Sequence, residues 1–318
     1  MEDHVAPTDG RRLLDLDHVV LADGRIYRVL GNLDSRTHFF GYNVYSPEAG
    51  GDRSYQGRRY RKNFIEDERL PADVLDTYGL IPIADIVEHH QPVPSALATA
   101  RHFRPKIWTD LYDELVEAAG AESVGIFGSS MFGLHLAADG TVRKDVDFVV
   151  EGLGHVDALR QALPRIRERL GFTTVTPGRQ LQQYARYQKV FRNDKNSIMP
   201  IIERRWTGLQ LADDVVTTIR LREPSYRTAL ELVTRQPDRR DIVIEGEVIA
   251  ADGSNLFPRI FTLDTSAGRL DVYILWWKFS TPVRAGDRVT LRGSIVRLRR
   301  ADAVRLTDFS QHWLHIKT

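Results

Sequence analysis

The chain has 318 residues, 42% of them hydrophobic, so it is long enough for two or three ordinary folded domains. Its net charge of +1 excludes a general polyanion binder, and any affinity for nucleic acid must come from local patches. The sequence contains no cysteine, which excludes disulfides, thiolate metal sites and cysteine nucleophiles; with no signal peptide or long apolar run, a cytoplasmic protein without a membrane partner is expected.

Residues 1–95 predict a β-rich N-terminal domain. A hairpin is indicated over 17–30 by two apolar runs around an Ala-Asp-Gly turn, and the aromatic segment 37–45 predicts a further strand. Four basic residues surround one tyrosine at 58–62; a solvated surface strand is the ordinary explanation, and an RNA or phosphate contact is the alternative. The stretch 89–95 indicates a linker, and its two adjacent histidines cannot share one helix or strand face, which argues against a metal pair.

Residues 96–238 predict a domain of mixed helices and strands. A helix opened by a proline and carrying an apolar stripe is expected over 105–119, and two more are expected over 153–170 and 179–191. The last of these is basic, so some of its side chains suit triphosphate or acceptor phosphates, and a solvated helix face is an equal alternative.

The segment between the first two of these helices carries the strongest functional signal. An apolar run at 124–127 predicts a short strand, the turn Gly128-Ser129-Ser130 breaks it, and residues 131–136 can begin a helix. Such a turn presents free backbone N–H groups to phosphate, and small residues let a triphosphate approach the main chain. The two serine hydroxyls add hydrogen-bond donors. Gly128, Ser129 and Ser130 are therefore the predicted nucleotide-binding residues.

Two carboxylates follow at Asp145 and Asp147, at the start of a predicted strand. Strand side chains alternate between faces, so residues two apart point the same way. Two hard oxygen ligands on one face suit Mg²⁺, or Mn²⁺, which keeps waters and takes phosphate oxygens of the substrate as its remaining ligands. Asp145 and Asp147 are therefore the predicted catalytic and metal-binding residues.

In Gly128, Ser129, Asp145 and Asp147 the segment resembles the polymerase-β-like nucleotidyltransferase superfamily, whose signature is an apolar residue, Gly-Ser, a spacer, and Asp-apolar-Asp-apolar. The resemblance implies that the Gly-Ser turn holds a nucleoside triphosphate and that the paired aspartates bind two divalent ions. The spacer is longer here than is usual, which indicates a longer loop. Over its whole length the chain resembles a group of predicted prokaryotic nucleotidyltransferases with a β-rich N-terminal region and a C-terminal barrel.

The resemblance also implies a third carboxylate on a later neighbouring strand, which helps to deprotonate the attacking hydroxyl. The best candidate strand, 215–221, carries no acid on either face; the nearest acids are Asp213 and Asp214 just before it and Glu203 upstream. Without such a base, metal ions still lower the pKa of the nucleophile, and catalysis is weaker. The competing interpretation is a catalytically inactive protein that binds a nucleotide or RNA.

Residues 239–318 predict a small β-barrel of the OB type, because five short alternating segments are separated by turns. The aromatic residues that suit base stacking are Tyr273, Trp276, Trp277 and Phe279. Adjacent tryptophans on a strand face opposite ways, so at least one of this pair is expected in the core. A basic rim is formed by Arg297, Arg299 and Arg300.

The expected fold is thus α+β, with a central polymerase-β-like nucleotidyltransferase domain (a mixed sheet with helices) between a β-rich N-terminal domain and a C-terminal OB-like β-barrel. The expected function is metal-dependent transfer of a nucleoside monophosphate from an NTP, such as ATP, to an acceptor hydroxyl, with release of pyrophosphate. A nucleic-acid acceptor, such as RNA, is slightly favoured over a protein or a small molecule, because an OB-like tail and basic clusters flank the site. The acceptor's identity, the base of the NTP and the oligomeric state do not follow from the sequence.

Overall fold

The computed structural model shows an α+β protein with three β-sheets that follow one another along the chain. The described residues are 12–63, 71–99, 106–134, 146–190, 199–200, 202–211, 215–276, 283–299 and 301–317. Among the helices of this described part, none is long and apolar enough to span a membrane.

Seven strands form the first sheet: β1 (His18–Leu21), β2 (Ile26–Val29), β3 (His38–Pro47), β4 (Arg53–Tyr55), β5 (Arg58–Lys62), β6 (Gly79–Pro82) and β7 (Ile86–His90). Their order is β4-β5-β3-β2-β1-β7, and β6 pairs with β3. The short helix α1 (Val74–Thr77) precedes β6. The hairpin predicted over 17–30 is confirmed, because β1 and β2 pair antiparallel with Val19 opposite Tyr27.

The linker predicted at 89–95 is wrong. His89 and His90 end β7, where they pair with β1 at the edge of the first sheet. The next helix then begins at Pro92. Proline is a strong turn signal in a sequence, but its fixed φ also suits the first turn of a helix, and here the second role applies.

Four strands form the central sheet: β8 (Val124–Phe127), β9 (Asp147–Glu151), β10 (Gly208–Leu211) and β11 (Val215–Arg222). Their order is β10-β11-β9-β8, in which β9 is antiparallel to β8 and parallel to β11. The accompanying helices are α2 (Pro92–Thr99), α3 (Ile107–Ala119), α4 (Val156–Leu170) and α5 (Pro177–Val190). The three helices predicted for this part of the chain agree with α3, α4 and α5 to within three residues.

The two faces of the central sheet have different neighbours. Strand alternation places Ile126 and Phe148 on the face that packs against α3 and α4 in one hydrophobic core. Phe127 and Val149 point the other way, into a core shared with residues of the first sheet and of the C-terminal strands. Asp147 pairs with Phe127 across the strands, so its side chain lies on this second face. We call this surface of Phe127, Asp147 and Val149 the Asp147 face.

Six strands form the C-terminal sheet: β12 (Arg239–Ala250), β13 (Arg259–Thr265), β14 (Gly268–Ile274), β15 (Arg288–Arg297), β16 (Asp302–Leu306) and β17 (Trp313–Lys317). The order β12-β13-β14-β16-β15 returns to β12 through the β12–β15 pairing, so five strands close a barrel. This order and the parallel pairing of β14 with β16 are compatible with an OB-type barrel. The sixth strand, β17, lies outside the ring on β15, and the sequence pattern does not predict it. A short helix, α6 (Glu231–Thr234), precedes the barrel.

The aromatic residues expected to stack on bases have different positions in the barrel. Trp276 is 1% exposed and belongs to the core, so the expectation that one of the adjacent tryptophans is buried is confirmed. Tyr273 is half-buried on β14. Three other residues named for the stacking surface and the basic rim, Trp277, Phe279 and Arg300, lie outside the described part of the chain.

A buried ion-pair network connects the first sheet with the central sheet. The Nη1 of Arg222 donates to Asp17 Oδ1 at 2.5 Å and to the backbone oxygen of Asp15 at 2.9 Å, and Nη2 pairs with Glu151. Burial lowers the pKa of Arg222, but the charges of Asp17 and Glu151 outweigh burial and raise that pKa above its usual value. These contacts hold the loop before β1 against the carboxyl ends of β9 and β11.

Candidate functional site

The turn after β8 is a single 3-10 helix, Gly128–Phe132, and not the start of the longer helix expected at 131–136. Gly133 ends it with a φ of 66°, and the Gly133 N–H donates to the backbone oxygen of Ser130. A left-handed glycine at this position terminates a helix at little cost, which explains the early end.

Gly128 brings the main chain of this turn directly against the predicted metal-binding acid. Its φ is 74°, in the left-handed region. A Cβ built on Gly128 would lie 3.2 Å from Asp147 Oδ2 and 3.9 Å from Arg28 Nη2. Because glycine takes this conformation freely and carries no Cβ, the main chain of the turn can approach the carboxylate this closely.

The two serines of the turn differ in exposure. Ser129 is half-buried. Ser130 is 3% exposed, and its Oγ has no hydrogen-bond partner within the described part of the chain. The turn thus has one half-buried serine and one buried hydroxyl beside Gly128.

The first sheet holds the end of this turn. The ring of Phe132 lies 5.2 Å from that of Tyr55 and 4.6 Å from that of His90, measured between centroids. Arg53 Nη1 donates to the backbone oxygen of Leu134 at 3.1 Å. The position of the turn therefore depends on residues more than thirty positions away in the sequence.

Of the two predicted metal ligands, the structure describes one. Asp147 is half-buried at the start of β9, and Asp145 lies outside the described residues. Within the described ranges, no group of three His, Cys, Asp or Glu side chains is arranged to hold a metal ion. The donor set still fits Mg²⁺, which is commonly bound by one or two carboxylates with water and substrate phosphates.

Arg28 is a member of the site that the sequence analysis missed. It lies on β2 of the first sheet, with its guanidinium 5.4 Å from the Phe127 ring and its Nε 3.4 Å from His18 Nε2. Burial lowers the pKa of Arg28, and the negative charge of Asp147 acts in the opposite direction. A charged residue inside an otherwise buried strand is the signal that could have identified Arg28, but sequence alone does not show what it faces.

The neighbouring strand β11 presents a hydroxyl and a cation beside Asp147. Ile219 pairs with Phe148, so Thr218 lies beside Asp147, and alternation places Arg220 on the same face. Arg205 donates to the Thr218 hydroxyl. The strand predicted as the neighbour is thus confirmed as one, and, as its sequence indicates, it carries no acid.

None of the three candidates for the third acid is placed in this site among the described residues. Glu203 is exposed, whereas Asp213 and Asp214 lie outside the described ranges. One buried acid does act on the site's electrostatics. Burial raises the pKa of Asp15 to about 6, although a hydrogen bond from Gly31 and the charges of nearby arginines lower it.

A cavity of about 970 Å³ lies between α4 and the barrel. Its lining includes Trp206, over which the Arg160 guanidinium lies 5.1 Å from the ring centroid. Arg204 also lines it and is paired with Asp287 at 2.6 Å. Arg205, between Arg204 and Trp206, donates to Thr218. The segment 204–206 therefore connects the cavity with the edge of the Asp147 face.

Comparisons with known proteins add little to this description. No protein-family model and no curated protein matches the chain. Among solved structures, a crystal structure of the tetrameric p202 HIN2 matches with 9% sequence identity and a TM-score of 0.21, covering 35% of this chain and 62% of that one. A TM-score this low carries no argument about fold or function.

Proposed function

We propose that the protein transfers a nucleoside monophosphate from an NTP to an acceptor and releases pyrophosphate. The observation that supports this most is the contact between the Gly128 turn and Asp147, since a phosphate-binding turn and a metal-binding carboxylate must meet for such chemistry. A central polymerase-β-like domain is part of the proposal. It is supported by the order β8-β9-β11, with the strand of Asp147 in the middle.

The residues of the site have different roles in this proposal. The backbone N–H groups after Gly128 and the hydroxyl of Ser129 bind the phosphates of the NTP, whereas the Ser130 hydroxyl is buried behind the turn. Asp145 and Asp147 hold Mg²⁺ or Mn²⁺, which neutralises charge on the attacking and leaving oxygens when it is bound. Arg28, across the site from β9, is suited to neutralise the same phosphates.

A nucleic acid remains the favoured class of acceptor. Single strands are held by basic grooves and by aromatic rings on which bases stack. The cavity beside α4 offers Trp206 together with Arg160, Arg167 and Arg204, and one wall of the cavity is the barrel.

The test of the proposal is release of pyrophosphate. Incubation of the protein with Mg²⁺ and each α-labelled NTP, with candidate acceptors, is expected to move label to an acceptor and release unlabelled pyrophosphate in equal amount. The alternative of a protein that only binds nucleotide or RNA is favoured by the lack of an acid on β11. That alternative predicts NTP binding with no release of pyrophosphate under any of these conditions.

Gly128→Val is expected to reduce NTP affinity at least tenfold. A Cβ at this position lies against Asp147, and branched methyl groups would block the approach of phosphate to the main chain. The measurement is calorimetric titration with an NTP and Mg²⁺. Gly171→Val is the matched control, because Gly171 has a φ of 71° and a Cβ there would meet no atom within 4 Å, so it carries similar backbone strain away from the site. Equal NTP affinity in the two folded variants would contradict the role of the turn.

Ser129→Ala is expected to weaken NTP binding by about 1 kcal/mol, or about fivefold, which is the scale of one hydroxyl hydrogen bond. The same titration measures the effect. Ser266→Ala, at an exposed turn of the barrel, is the control and is expected to bind NTP like the unchanged protein. An unchanged affinity in Ser129→Ala would remove this hydroxyl from the proposed site.

A further inference from the structure

On β11, where a two-metal site is expected to carry an acid, the chain carries a hydroxyl and a cation instead. The β11 residues whose side chains share the face of Asp147 are Val216, Thr218, Arg220 and Arg222. Thr218 is 8% exposed and accepts a hydrogen bond from Arg205, so its hydroxyl is occupied by a cation. The side of Asp147 next to β11 is therefore basic.

The charged groups around this position come from all three sheets and from the segments beside them. Arg220 is half-buried, and its positive charge lowers the pKa values of Asp15 and Arg259, which places its guanidinium close to both. The charged groups that face this region are Asp15, Asp17, Arg28, Asp147, Glu151, Arg205, Arg220, Arg222 and Arg259. Arg222 is paired with Asp17 and Glu151, and four of the other six groups are cations, so the region favours an anion.

The nature of the acceptor decides whether such a site can work. A hydroxyl must lose a proton before or during its attack. A general base has to accept this proton, or a metal ion has to stabilise the negatively charged oxygen that remains. A phosphate monoester needs no base, since its second pKa is about 6 and its oxygens are ionised at neutral pH. Arginine is also the side chain that binds phosphate best, through paired N–H groups.

We infer that the acceptor is the phosphate group of a phosphate monoester rather than a hydroxyl, and that Arg220 binds it beside Asp147. This inference rests on the proposed nucleotidyl transfer. An ionised oxygen of the acceptor phosphate attacks the α-phosphorus of the NTP, and a new P–O bond forms. The bond from the α-phosphorus to the oxygen that bridges it to the β-phosphorus breaks, and pyrophosphate leaves with that electron pair. The product is a phosphoanhydride, and no proton has to be removed from the acceptor.

The experiment compares acceptors that differ only in a phosphate. The full-length protein is incubated with Mg²⁺ and each α-labelled NTP in four reactions. Two contain an RNA oligonucleotide with a blocked 3′ end, carrying a 5′-phosphate or a 5′-hydroxyl; the other two contain ribose 5-phosphate or ribose. Label is expected in a phosphate-bearing acceptor and not in its hydroxyl counterpart, and the two pairs distinguish an RNA end from a small phosphate ester.

The outcomes separate this inference from the proposed function. Labelling of the hydroxyl acceptors to the same extent would overturn the phosphate acceptor and leave nucleotidyl transfer in place. Labelling of a phosphate acceptor in a linkage that resists a pyrophosphatase specific for phosphoanhydrides would also overturn it. The absence of label in every acceptor, with no release of pyrophosphate, would overturn both.

Variants of Arg220 test its part independently. Arg220→Gln is expected to raise the KM for the phosphate acceptor about tenfold or more, with the affinity for NTP within about twofold of the unchanged protein. Arg220→Lys keeps the charge and is expected to recover part of the loss. Arg269→Gln, at an exposed position of the barrel, is the control for loss of one positive charge. An unchanged KM in folded Arg220→Gln would remove this residue from the acceptor site, and a matching loss of NTP affinity would assign it to the NTP instead.

Discussion

Replacing Asp147 with asparagine is expected to lower nucleotidyl transfer at least about 10³-fold while the protein stays folded. The neutral amide keeps the shape of the side chain but loses the charge that attracts Mg²⁺, and the stabilisation that the metal supplies to the reacting oxygens is lost with it. Asp145→Asn is expected to have an effect of the same order. The measurement is the initial rate of pyrophosphate release at saturating NTP and Mg²⁺.

A matched variant separates loss of charge from loss of the site. Asp264→Asn makes the same chemical change at an exposed position of β13 and is expected to leave the rate unchanged. Thermal melts of the three variants are expected to lie within a few degrees of one another, because Asp147 is half-buried at the surface of a sheet. A rate for folded Asp147→Asn within tenfold of the unchanged protein would exclude Asp147 as a metal ligand.

Replacing Arg222 with methionine is expected to destabilise the protein by about 3–5 kcal/mol. Removal of one partner from a buried pair leaves the other charge without compensation, which costs more than the pair itself contributes. Here the remaining charges are Asp17, whose side chain is fully buried, and Glu151. The measurement is the free energy of unfolding from urea titrations at pH 7.

An exposed ion pair in the turn between β1 and β2 provides the control. Arg25 and Asp23 are 2.6 Å apart, and their side chains are 45% and 48% exposed. Arg25→Met removes the same kind of partner and is expected to cost less than about 1 kcal/mol, because water compensates the remaining charge. Equal losses of stability in the two variants would show that burial of the Arg222 pair is unimportant.

Most local elements of the fold follow from the sequence. The helices α3 and α4 carry apolar stripes of period 3.6, and the strands of the barrel alternate between turns, so neighbours within a few residues determine both. The errors occur where a local signal has two meanings. Pro92 begins a helix instead of a loop, and Gly133 ends the helix after the Gly-Ser turn within five residues.

The strand β17 shows a different limit of sequence reasoning. Leu314 and Ile316 alternate with His315 and Lys317, but the strand is only five residues long, so this pattern is too short to identify it. It becomes a strand because β15 offers it an open edge, with Leu314 opposite Leu291 in the core. Pairing of this kind depends on the neighbouring strand and leaves little trace in the segment itself.

The sequence predicts that Gly128 and Asp147 lie together, because a glycine turn and an acid at the ends of adjacent strands form a local pattern, and the structure places them side by side. The sequence does not predict what surrounds the two residues. Arg28 reaches the site from the first sheet, and Arg220 reaches it from a strand more than seventy residues later. The physical reason is that secondary structure depends on short-range periodicity, whereas the electrostatics of a site depend on which distant charges folding brings within a few ångströms of it.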